Sequence, residues 1–261
     1  MDGFVNLQLP SKGKVYKNFD PAKFLIRPMK GKDEKLIAEI NTNNLFTKFE
    51  ALMKSVSIGL NPEQLTLGDR NKILIWLAAN SYGPTVQAEG ACSLCYQPIR
   101  VTVNLTKIED KFLPDDFRQP YALSLSGGQS VCLRLLTVDD ERKIADVERL
   151  GGDAWGYRYA LSVVSQEKTV DEVQNWLGEL PAGDMARIRA FQAMFDHGPQ
   201  METDIICPKC GGAGRMATPF QLEWILPFGQ ALRERYGASM QAPAESAHAA
   251  AGSGGDGSAG A

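Results

Sequence analysis

Cys92-Ser93-Leu94-Cys95 and Cys207-Pro208-Lys209-Cys210-Gly211-Gly212 are two C-x-x-C stretches that lie far apart in the chain. This spacing lets two thiolates grip one metal ion from a tight turn. Two such turns facing each other complete a tetrahedral S4 shell, the geometry of a closed structural zinc site. The flanking sequence has the character of a zinc ribbon. Residues 85–91 lead as an extended run into Cys92, and Ile99, Val101, Val103 and Leu105 alternate after Cys95. Asp204-Ile205-Ile206 runs into Cys207, and Arg215-Met216-Ala217-Thr218 supplies a return strand. Gly211, Gly212 and Gly214 permit the positive φ that turns backbone N–H groups toward thiolate sulfur. After the first pair Tyr96 and Gln97 stand where glycine is expected.

If the pairs share one ion, residues 96–206 are an insertion held at its base by that ion. An ordinary ribbon brings its second pair back after about 15–20 residues. A longer loop adds only about 0.6 kcal/mol of closure entropy per doubling, so the spacer does not forbid the pairing. A structural Zn2+ on Cys92, Cys95, Cys207 and Cys210 is the expected arrangement; separate redox pairs and free thiols are the alternatives. Four protein ligands would leave no open position for water or substrate, so such an ion would be structural.

Composition sets the frame. The 261 residues are 44% apolar and 23% charged, with a formal net charge of -3, ordinary values for a folded soluble protein. No basic excess marks a nucleic-acid surface, and no apolar run approaches the roughly 18–20 residues that cross a bilayer. Met1-Asp2-Gly3-Phe4 has neither the charged nor the apolar part of a signal peptide, so a reducing cytosol is expected. There C-x-x-C pairs bind metal or do redox work more often than they form structural disulfides. The fifth cysteine, Cys132, falls in an alternating segment on the face opposite Val131 and Leu133, as a small strand residue.

Read in order, residues 1–32 form an extended arm. Residues 33–84 form a helical unit. Leu36, Ile37 and Ile40 make one apolar stripe; Leu45, Phe46, Phe49, Leu52, Met53 and Val56 make a clear amphipathic helix. Asp69 is the expected N-cap of a further helix that ends at Tyr82-Gly83-Pro84. Residues 85–110 and 201–220 make the split ribbon around an inserted lobe, residues 111–200. Within it Tyr121, Leu123 and Leu125 alternate, Gly127-Gly128 makes a two-residue turn, and Val131, Leu133 and Leu135 alternate back. Helices follow from an N-cap at Thr137 to Leu150, over 154–165, from Thr169 to a stop at Pro181, and from Asp184. Residues 221–237 read as a C-terminal helix and 238–261, reduced to Ala, Gly, Ser and Pro, as a disordered tail. The fold class expected is α+β.

Catalytic signatures are missing. There is no phosphate-cradling Gly-rich loop, no G-x-G-x-x-G, no H-E-x-x-H and no G-x-S-x-G. His197, beside Gly198-Pro199, reads as a helix C-terminal cap. Asp139, Asp140 and Glu141 read as first-turn acids that favour a helix dipole. Phe220, Trp224 and Phe228, in a segment dense in large apolar groups, are candidate partner contacts, with plain core packing as the competing reading.

Three stretches together carry a resemblance. Leu25-Ile26-Arg27-Pro28-Met29-Lys30-Gly31-Lys32-Asp33-Glu34 leads into the first helix; Leu65-Thr66-Leu67-Gly68-Asp69-Arg70-Asn71 is followed by Leu74 and Tyr82-Gly83; and the two knuckles come after. In this order they resemble the T-even-type bacteriophage baseplate protein family, most clearly over residues 22–105 and again over 203–228. The resemblance implies a non-enzymatic protein of contractile-tailed phages, a hub-assembly factor or minor baseplate subunit. Other phage tail and baseplate hub proteins are then its partners, without a membrane or a nucleic acid. Its place is the host bacterial cytoplasm during assembly, or the virion tail baseplate. The family suggests no catalytic residues, and the cysteines carry over only as candidate ligands. The alternative of another class is a cytosolic zinc-ribbon adaptor that binds nucleic acid.

Overall fold

The computed structural model describes residues 3–41, 44–221, 224, 225 and 227. It is an α+β fold with seven α-helices among the described residues and several small antiparallel sheets. The chain starts with β1 (Val5–Asn6), then β2 (Leu25–Ile26), α1 (Gly31–Ala38), α2 (Leu45–Val56), β3 (Ser57–Ile58) and α3 (Leu67–Tyr82). β4 (Thr85–Ala91), β5 (Pro98–Asn104), β6 (Asp110–Lys111), β7 (Tyr121–Ser124) and β8 (Ser130–Leu133) follow. α4 (Val138–Arg149), α5 (Ala154–Ser162), α6 (Val170–Gly178) and α7 (Ala182–Met194) come next, and β9 (Gly198–Pro199), β10 (Glu202–Ile206) and β11 (Ala213–Ala217) close the order. The C-terminal helix and tail expected over 221–261 lie almost wholly outside the described residues.

The first strands form a sheet in the order β1-β2-β3. Behind it packs a core built from the apolar faces of α1, α2 and α3 with residues of both cysteine hairpins. Phe24, Ile26, Leu52, Met53, Val56, Ile73 and Leu77 are among its buried members. α2 follows the periodicity of its sequence, with Phe49, Leu52, Met53 and Val56 inward. A second core gathers Leu113, Phe117, Leu125, Val131, Leu133, Leu135, Ile188, Phe191 and Phe195. Phe117, Tyr121, Phe191 and Phe195 stack there with ring centroids 4.8 to 5.4 Å apart.

Each core is fastened by a buried carboxylate clamped by an arginine. The Arg27 guanidinium donates to both oxygens of Asp33, at 2.7 and 3.2 Å, and to the Ser55 carbonyl at 2.9 Å. Asp33 also accepts from the Lys30 N–H at 2.8 Å and the Ser55 hydroxyl at 2.5 Å. Arg134 donates to Asp140 at 2.6 and 2.8 Å, and Asp140 caps its own helix by accepting from the Thr137 N–H at 2.8 Å. Burial pushes both acids up. The arginine and cap hydrogen bonds outweigh it, so both end below the usual carboxylate range.

Several local readings need correction. The N-cap of α3 is Thr66, whose hydroxyl accepts from the Asp69 N–H; Asp69 lies one turn in, fully buried. Asp69 is pulled inward by distant partners. It accepts from the Ser11 N–H at 2.9 Å and from the Tyr16 hydroxyl at 2.5 Å. The hairpin β7–β8 turns through more than Gly127-Gly128: Ser124 pairs with Ser130, and the Leu125 N–H donates to the Gln129 carbonyl. α5 stops at Ser162, because Val163 pairs with Leu133 as an isolated bridge. α6 ends at Gly178, and Pro181, expected to close it, is the N-cap of α7.

Around His197 the chain doubles back on itself. β6 pairs with β9, Asp110 opposite Pro199 and Lys111 opposite Gly198. Gly68 packs against this segment so closely that a Cβ there would overlap the His197 carbonyl. The His197 ring is buried and engaged on both sides. Nδ1 donates to the Phe195 carbonyl at 3.0 Å, and Nε2 lies 2.7 Å from the Thr66 hydroxyl oxygen, within hydrogen-bond reach.

Candidate metal centre

Two hairpins build the site. β4 and β5 pair from Thr85↔Asn104 to Ala91↔Pro98, and β10 and β11 from Glu202↔Ala217 to Ile206↔Ala213. Each register ends at a cysteine turn. In the first, the Tyr96 N–H donates to the Cys92 carbonyl at 2.9 Å and the Cys92 N–H to the Gln97 carbonyl at 3.0 Å. In the second, the Gly211 N–H donates to the Cys207 carbonyl at 2.8 Å and the Cys207 N–H to the Gly212 carbonyl at 2.9 Å. The Leu94 and Lys209 N–H groups point at the sulfurs of Cys92 and Cys207, both at 3.4 Å. The two turns are the same knuckle twice.

Their shared geometry explains Tyr96. The residue after the second cysteine takes a left-handed conformation, which turns the chain so that the next carbonyl, of Gln97 or Gly212, accepts from the first cysteine's N–H. Gly211 does so at φ +70° and Tyr96 at φ +58°. For any residue but glycine this crowds Cβ against the following carbonyl. Tyr96 carries that strain with its ring 80% exposed.

The four sulfurs converge. All four ligand atoms lie within 4.8 Å of one another. Cys92 Sγ is 3.9 Å from Cys210 Sγ, and Cys95 Sγ is 3.8 Å from Cys207 Sγ. The test of fit is direct: a regular tetrahedron with Zn–S bonds of about 2.3 Å has S–S edges of about 3.8 Å. Those two sulfur separations fall on that edge length, and a soft four-sulfur donor set suits zinc. Cys92 and Cys207 are buried, while Cys210 reaches solvent. The Cys95 and Leu94 N–H groups lower the Cys92 thiol to about 6, so one ligand is a ready thiolate. The Gln97 N–H lowers Cys95, but burial and the neighbouring sulfurs outweigh it and leave that thiol raised to about 11. A cation among the four would relieve this repulsion between like charges. Such an ion would supply no catalysis; it would clamp the two turns together.

The match to known proteins now has a structure to sit on. Residues 4–223 match the model of a family described as T4 bacteriophage base plate protein. The chain belongs to that family. Neither the comparison with curated proteins nor that with solved structures gives a match. The family match runs through the arm, both cysteine turns and the residues between them. It therefore covers residues 111–200 as well, beyond the stretches that carried the sequence resemblance. The two helix-entry stretches acquire physical content here. Arg27 and Asp33 of the first are the buried clamp, and Thr66, Gly68 and Asp69 of the second make the contact with Ser11, Tyr16 and His197.

The remaining candidates separate. Trp224 is buried in the first core, and Phe220, half-buried, meets it edge-on with centroids 5.6 Å apart. Phe228 lies outside the described residues. Cys132 is exposed and apart from the other four. Among the described residues no helix is long and apolar enough to cross a membrane.

Proposed function

We propose that this base plate family member is a non-enzymatic building or assembly component of the tail baseplate hub, held in shape by a structural Zn2+ on Cys92, Cys95, Cys207 and Cys210. The family match over residues 4–223 is the observation that carries the baseplate reading. The metal reading is supported by the convergence of the four sulfurs. Its partners on this reading are other baseplate proteins, met in the host cytoplasm during assembly or in the finished tail. The arm, the ribbon (85–110 with 201–220) and the lobe (111–200) serve as separate surfaces whose orientation the clasp fixes. Among the described members of the aromatic trio, Phe220, only half-buried, is the one left to a partner, while Trp224 serves packing.

The physical need for a clasp is plain. A two-stranded hairpin alone is at best marginally stable in water, and here two of them, β4–β5 and β10–β11, are closed by thiol turns rather than by a shared sheet. Structural zinc supplies on the order of 10–16 kcal/mol of apparent binding energy, ample to fix them. Metal analysis of the purified protein should give one zinc per chain. Cys92→Ser and Cys207→Ser should each abolish it, since the two residues come from different turns. Retention of zinc by either variant would sink the shared site. Co-purification with tail proteins encoded beside it tests the baseplate role, and a salt-sensitive shift of DNA or RNA in a gel would overturn it in favour of a nucleic-acid adaptor.

A further inference from the structure

A cavity of about 120 Å³ lies where α3, α5 and α7 approach one another. Its walls are apolar: Leu67 from α3, Leu135 and Leu136 from the segment before α4, and Phe195 at the end of α7. Two hydrogen-bond donors interrupt these walls. Arg158, half-buried on α5, has neither an ion pair nor a hydrogen bond among the described residues. Gln192 on α7 lines the same space, and its Nε2 is buried without an acceptor. Other arginines on this surface behave differently: Arg134 is clamped on Asp140 and Arg70 on Glu141. A buried donor left unpaired has given up its water without replacement, so the place favours an acceptor from outside. Asp196, exposed at the edge of the cavity, makes no ion pair with Arg158.

We propose that this cavity is a carboxylate-binding site, with Arg158 and Gln192 taking the ligand's oxygens and the leucines and Phe195 its carbon chain. The charge and forked shape of a guanidinium match a carboxylate, and the adjacent amide N–H adds a second donor. The volume is well below the roughly 300–1,000 Å³ of drug-sized ligand sites, so it fits an acyl tail of a few carbons or the side chain of a partner's glutamate or aspartate. Leu135 belongs to the second core, so an occupant of the site would pack against that core.

The test is a methyl-detected NMR titration of the full chain with butyrate, against butyramide as the uncharged isostere. Butyrate should shift the methyls of Leu67, Leu135 and Leu136 saturably, and butyramide should not. Arg158→Gln should weaken butyrate at least about tenfold, the factor that 1.4 kcal/mol corresponds to. Asp196→Asn should tighten it by removing a like charge at the edge. Gln192→Leu guards against a folding artefact: it should leave thermal stability unchanged or raised and still weaken butyrate. Blocked Gly-Gly-Glu-Gly-Gly, set against its glutamine analogue, separates a partner's acidic side chain from a small free acid; either source satisfies the site. Equal shifts with the acid and the amide, no saturable shift, or unchanged affinity in Arg158→Gln would overturn the assignment.

Discussion

Tyr96 and Gly211 occupy the same place in the two cysteine turns, which allows one experiment to be run in both directions. Tyr96 sits at φ +58° with its ring 80% exposed, so little packing is lost when it is replaced. A non-glycine residue in the left-handed region costs about 1–2 kcal/mol. Glycine returns about 0.5–1 kcal/mol of that through its greater freedom in the unfolded chain. Tyr96→Gly should therefore stabilise the folded state by about 0.5–1 kcal/mol, the difference between the two effects. For a chain of this size that is a rise of about 1–4 °C in the unfolding midpoint. Gly211→Ala is the mirror case. A Cβ on Gly211 would meet nothing within 4 Å, so its cost is conformational alone. It should destabilise by about 1 kcal/mol. Both are read by thermal and denaturant unfolding of the zinc-loaded protein, followed by circular dichroism. A lowered midpoint for Tyr96→Gly, or a raised one for Gly211→Ala, would refute the equivalence of the two turns.

Three other outcomes follow from the packing and charges. Gly68→Ala places a methyl on the His197 carbonyl and should cost about 1–3 kcal/mol through forced backbone movement; urea unfolding checks it, and a neutral result would mean that the α3 contact with the His197 segment is loose. Ile188→Ala, at a position of 0% exposure, should lose about 2–5 kcal/mol in the same assay. Asp140 is held below its ordinary value by Arg134 and by the Thr137 cap, so its stabilisation is complete above the unfolded carboxylate pKa of about 3.9 and fades as pH falls through the folded value. The stability gap between the parent and Asp140→Asn should accordingly be widest near neutrality and shrink below about pH 4; a gap independent of pH would remove the charge from the explanation.

What the sequence disclosed was what local chemistry decides. The i, i+4, i+7 pattern from Leu45 to Val56 returned as α2, with Phe49, Leu52, Met53 and Val56 inward and Leu45, at its start, exposed. Thr137 capped its helix because a hydroxyl there meets the free N–H of Asp140. The cysteine spacing carried enough geometry to bring residues 92 and 210 to one place. What escaped were demands made by residues far away. Asp69 resembles an N-cap until Ser11 and Tyr16, more than 50 positions earlier, claim its carboxylate. Tyr96 stands where sequence alone expects glycine, because a side chain says nothing of the φ its turn requires. Arg158 and Gln192 lie on different helices, and no spacing along one chain announces that both line a single cavity.

The bridge between Thr66 and Thr137 joins the N-caps of α3 and α4. Each helix start is equivalent to roughly half a positive charge, so the fold presses two like poles of its helix dipoles together. Asp69 and Asp140 sit in the first turns of those helices, each one residue before the next contact, where Arg70 reaches across to Glu141. The acids turn a repulsive meeting into a neutral one. Two helices can then start from one point, like spokes from a hub whose charge has been cancelled.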